Sequence, residues 1–186
     1  MNQQEIYSDA NTRMDKTLDA LHHELAKVRT GRATPALLDT VRIEYYGQVV
    51  PLNQAATVSA PEPRLLTVQP WEKNLLPEIE KAIQKADLGL NPANDGQIIR
   101  IPIPQLSEER RKDLVKLVKK FGEDAKIAVR NVRRDANDHL KKLHKGNEIS
   151  EDELSVELDR IQKLTDDHIQ KIDTVLEAKE KEVLEI

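Results

Sequence analysis

All nine prolines of this 186-residue chain lie between residues 35 and 104, and the flanking sequence can run as three long amphipathic helices. Few folds satisfy that arrangement. A helix with a single apolar stripe gains most of its stability by burying the stripe, so the three stripes must find one another. In residues 3–28 the stripe is Ile6, Ala10, Met14, Leu18 (with Thr17), Leu21, Leu25 and Val28, in steps of three and four. Thr30-Gly31 is the expected stop, because glycine favours a helix C-terminus. Ser107 followed by Glu108 and Glu109 opens a second helix, with acids where the helix dipole favours them. Its stripe is Leu114, Val118, Phe121, Ala125, Ala128, Val132, Ala136, Leu140 and Leu143. At 1.5 Å per residue it would run for roughly 58 Å before Gly146-Asn147. Ser150 and Glu153 match a capping box, and a third stripe follows through Leu158, Ile161, Thr165 (with Leu164), His168, Ile172, Val175, Lys179 and Val183.

The segment between the first two helices has a different texture. VRIEYYGQVVPL (41–52) reads as two short strands around a turn at Tyr46-Gly47, and LLTVQP (65–70) as another strand. Asp95-Gly96 marks a turn ahead of alternating Ile99, Ile101 and Ile103. Residues 73–87 put Leu76, Ile79 and Ile83 on one helical face, with Pro77 tolerated in the first turn.

The expected fold class is α+β in two domains. Residues 1–30 and 105–186 form a discontinuous, long three-helix bundle with coiled-coil-like packing. Residues 31–104 form an inserted small β/α/β domain. The chain crosses between them near 30–32 and 102–106, and those crossings are the expected hinges.

The net charge of −4 conceals a polarised chain. Residues 107–146 carry 13 cations against 7 anions, and residues 147–186 carry 5 against 13. On a helical wheel with Lys126 at 0°, Arg133, Lys119, Arg130, Lys112 and Lys116 fall within roughly 100° of it and of one another. The apolar stripe centres near roughly 250° on the same wheel, so the cations are expected to point away from the core. Arg134, at roughly 80°, lies at the edge of the group. Exposed helical faces usually interleave acids at i+4, and here Glu123 is the chief acid within the stripe. Aromatics make up only 3% of the chain, too few to stack single-stranded bases. Arginines at helical spacing suit the phosphates of structured RNA or DNA. An acidic protein surface, a chromosome-binding role and a self-associating coiled-coil adaptor stay open at this level; the last would be a stable dimer rather than a monomer.

Catalytic chemistry finds no footing. There is no GxxxxGK[ST] loop and no HExxH. His22 and His23 are adjacent, His139 and His144 are five apart, and neither pair shares a helix face. His168 sits on an apolar stripe and is expected to be packed. We therefore expect no enzyme, no metal and no cofactor. With no cysteine, signal segment or continuous apolar run, a cytoplasmic chain without a membrane span is expected.

The blocks ELAKVRTGRATPALLD (24–39), AVRNVRRDAND (128–138), ISEDE (149–153) and QKLTDDHIQKID (162–173) resemble the bacterial ribosome recycling factors over essentially the whole chain. The resemblance implies an L-shaped protein that binds the large ribosomal subunit after termination. It further implies that elongation factor G and GTP hydrolysis then split the complex, releasing mRNA and tRNA. It carries contacts to 23S rRNA onto Arg130 and, above all, Arg133. Arg29 and Arg32, which flank Gly31 in VRTGRA, and Arg110 also match family arginines, with an rRNA role and a structural role at the hinge both open.

Overall fold

The computed structural model describes residues 1–185. The chain divides into two compact units, one formed by Met1–Arg29 with Glu108–Ile186 and the other by Thr30–Ser107.

The first unit is a bundle of three helices: α1 (Gln3–Ala26), α3 (Glu108–Lys145) and α4 (Glu151–Leu184). Several helix ends have a visible sequence cause. Asn2 and Glu5 form a reciprocal capping box on α1, and Ser150 and Glu153 do the same on α4. The end of α3 is a Schellman motif. Asn147 takes φ +58°, its N–H bonds His144 O at 3.0 Å, and Glu148 N–H reaches Leu143 O at 2.9 Å. α1 ends four residues before Thr30-Gly31, because Lys27 and Val28 donate to Glu24 and Leu25 and tighten the last turn.

α4 runs antiparallel to α3 and parallel to α1, as the pairs Arg133–Gln162, Lys126–Asp173, Tyr7–Arg160 and Asp15–His168 require. The fully buried layer includes Met14, Val118, Val129, Leu140, Ile161 and Ile172. Burying such a side chain contributes about 1.5–3 kcal/mol. On α3 the buried row is rotated from the expected stripe: Gly122 and Val129 are buried, while Phe121 and Ala128 are only half-buried. Gly122 is the reason. It leaves a notch that Leu176 fills, so α3 turns that side toward α4.

The second unit contains α2 (Leu76–Lys85) and six strands: β1 (Arg42–Tyr45), β2 (Gln48–Pro51), β3 (Ala56–Glu62), β4 (Leu65–Pro70), β5 (Ala93–Asn94) and β6 (Ile99–Pro102). β1 and β2 form a hairpin whose loop residues, Tyr46 and Gly47, have φ +51° and +74°, the signature of a type I′ turn. The other strands form an antiparallel sheet in the order β3-β4-β6-β5. Sequence patterning missed β3, because Pro61 interrupts it. The strand tolerates that proline at the sheet edge, where the register shifts between Ser59 and Glu62. Ile79 and Ile83 of α2 share a core with Val41, Ile43, Leu66, Val68, Ile99 and Ile101. Asp95 ties the β5–β6 turn, accepting from the Gln97 and Ile98 backbone and from Arg100. The Ile98 backbone N–H, then Arg100, hold its carboxyl down at about 2. Gly31, at φ +75°, packs its Cα against Leu106, leaving a Cβ only 3.0 Å from Leu106 Cγ.

Candidate nucleic-acid interface

α3 sorts the cations of its stripe into three kinds. Lys116, Lys119 and Arg134 are exposed and have no ion-pair partner among the described residues. Lys112 reaches Glu108 at 3.5 Å and Arg130 reaches Glu123 at 3.7 Å, both loose pairs open to solvent. Such pairs contribute at most about 1 kcal/mol and yield readily to a stronger anion.

The third kind corrects the expectation that the whole stripe points away from the core. Lys126 and Arg133 lie along the seam with α4. Lys126 Nζ is 2.6 Å from Asp173 Oδ1, and its side chain is only 22% exposed. Arg133 donates from Nη1 to Gln162 Oε1 at 2.8 Å, and its Nε is buried without a partner. The cause is the same rotation that buries Val129. Turning α3 toward Leu176 brings the near edge of the cationic face onto α4. Asp173 of α4 neutralises a stripe lysine, and spacing within α3 alone could not reveal it.

The arginines that flank the chain crossings fall in different units. Arg29 closes the bundle segment, Arg32 belongs to the small unit, and Arg110 sits in the first turn of α3; all three are exposed.

No group of three or more metal-ligating side chains gathers among the described residues. His168 is 2% exposed, with Nδ1 2.8 Å from Leu164 O and Nε2 2.7 Å from Asp15 Oδ1, so it ties α4 to α1. Among the described residues no helix is long and apolar enough to cross a membrane.

A bundle interrupted by a small sheet unit, with a cationic helix beside an acidic one, can be compared with known proteins. The family profile described as Ribosome recycling factor matches residues 21–184. The chain belongs to the ribosome recycling factor family. The ribosome-recycling factor of Shouchella clausii (strain KSM-K16) is 60% identical over 182 residues, 98% of each chain. That of Bacillus subtilis (strain 168) is 55% identical over the same length and coverage. A solution structure of a ribosome recycling factor aligns at TM-score 0.75 and 42% identity, covering 100% of this chain and 99% of the other. A second neighbour aligns at TM-score 0.65 and 52% identity, with all of both chains covered. It is described as models for the T. thermophilus ribosome recycling factor and the E. coli elongation factor G bound to the E. coli post-termination complex. The α+β architecture read from the sequence is that of these family members.

Proposed function

We propose that this chain recycles ribosomes after termination by laying the cationic face of α3 on the 23S rRNA of the large subunit. The observation that carries the reading is the combination of unpaired Lys116, Lys119 and Arg134 with an Arg133 held in place on one helix. A rigid helix presents these charges at fixed spacing, which suits the backbone and shape of folded RNA more than its base sequence. Arg130, Lys112 and Lys126 join once their intrachain anions are displaced. The test is co-sedimentation with purified large subunits across a salt series. Affinity should fall steeply with salt, since phosphates neutralised by Lys and Arg release counterions. A salt-insensitive complex would remove the stripe from the reading.

Elongation factor G with GTP is the second partner in this reading, and its likeness to the neighbour described with that factor supports it. The protein acts as a monomer in the cytoplasm, where ribosomes are. The bundle anchors, and residues 31–104, hinged near 30–32 and 102–106, transmit the push of the GTPase. The chain has no cysteine, so a pair introduced across the unit boundary would be its sole thiols. The oxidised form should keep its affinity for large subunits and lose subunit splitting, and reduction should restore it. Wild-type splitting by the oxidised form would rule out the hinge.

A further inference from the structure

Gln162 of α4 meets the cationic stripe with a neutral side chain, and its place is fixed from both sides. Its Oε1 accepts from Arg133 Nη1 at 2.8 Å, and its Nε2 donates to Asp166 Oδ1 at 2.9 Å. Guanidinium can only donate, and a carboxylate can only accept. The amide therefore has a single orientation that serves both neighbours. Asp166 lies one turn further along α4, so the three side chains form a relay from carboxylate to amide to guanidinium.

The neighbouring seam contact shows what this arrangement avoids. Lys126 meets Asp173 directly, and that acid must be displaced before the lysine can meet a phosphate. An acid in place of Gln162 would do the same to Arg133, with two parallel bonds and near-complete neutralisation. The amide instead holds one of the five guanidinium donors and adds no charge. With Nε turned into the seam, the Nη2 edge has no hydrogen-bond partner among the described residues.

We propose that Gln162 is a positioning residue for RNA docking: it orients Arg133 through Asp166 and leaves its charge available to phosphate. The inference rests on the reading of Arg133 as an rRNA contact. A guanidinium held before binding loses less side-chain freedom when it meets a phosphate, so the gain appears as affinity. Gln162 itself touches no RNA in this scheme.

The test is a double-mutant cycle on the full-length protein, read by co-sedimentation with purified large subunits at physiological salt. Gln162→Met keeps the volume and removes both hydrogen bonds. It should weaken binding by about threefold to tenfold in the wild-type background. In an Arg133→Ala background the same substitution should change affinity by less than about twofold, because its target is gone. Thermal melting of the helical signal should be unchanged in every variant, as Gln162 is exposed. If Arg133→Ala alone leaves affinity intact, the rRNA role of Arg133 fails. If Arg133→Ala weakens binding but Gln162→Met does not, or costs the same in both backgrounds, the positioning role is overturned.

Discussion

Replacing Arg133 by alanine should lower affinity for large ribosomal subunits by roughly 10- to 100-fold, the value of one or two charge-assisted hydrogen bonds. The size of the effect follows from how the side chain is held. Gln162 takes one donor and the seam covers Nε, so the remaining donors point in a fixed direction. Lys119 and Arg134 lack such support, and their alanine variants should cost less because flexible exposed cations lose more entropy on docking. Arg133→Ala should also flatten the salt dependence by about one unit of slope, one phosphate contact fewer. Folding should be untouched, since the hydrogen bond lies at an exposed rim of the α3–α4 seam. Wild-type affinity in co-sedimentation at physiological salt, with an unchanged slope, would exclude Arg133 from the interface.

Gly122→Val should destabilise the bundle by about 2–3 kcal/mol. A Cβ at this position would stand 2.2 Å from Leu176 Cδ1, 2.7 Å from Cδ2 and 2.9 Å from Cγ. Relief at Cγ requires moving the whole leucine, which is 9% exposed and packed between helices. Valine recovers roughly 0.5 kcal/mol of helix propensity relative to glycine, too little to offset the clash. Urea unfolding followed by the helical signal should show a lower midpoint. The only tryptophan, Trp71, belongs to the other unit, so its fluorescence should report an unchanged transition. A helical midpoint equal to or above wild type would mean that the notch is not needed.

Most of the bundle could be read from spacing. Ile6, Ala10, Met14, Leu21 and Leu25 are buried on the stripe the sequence shows, with Leu18 half-buried between them, and the Ser150–Glu153 box caps α4. The misplaced part was the phase of α3. Hydrophobicity gives Phe121 more weight than Gly122, whereas packing puts the glycine inside because a large side chain from α4 needs the space. That phase error carried into the site. Lys126 and Arg133 were assigned to open solvent, and their partners Asp173 and Gln162 lie 47 and 29 residues away, beyond any local pattern. Lys116 and Arg134 were legible as exposed because they sit at roughly 80° on the wheel, where the shift of phase changes nothing, and Lys119, at roughly 20°, is exposed as well. The capping box at Asn2 and Glu5 is written in the sequence as N-x-x-E, ahead of an apolar stripe that does not itself mark the helix start. β3 was hidden by a proline that only an edge strand can hold.

The insertion of the small unit also sets an order of events during synthesis. α1 packs against α3 and α4, so no helix able to cover its apolar stripe is encoded before Glu108. At about 5–20 residues per second, the interval from the last residue of α1 to the first of α3 is roughly 4–16 s. Throughout that time the stripe of Ile6, Met14, Leu21 and Leu25 has no partner within the chain. Chaperone access to the nascent chain is thus concentrated on its first 26 residues, while the unit behind them has all of its own core already made.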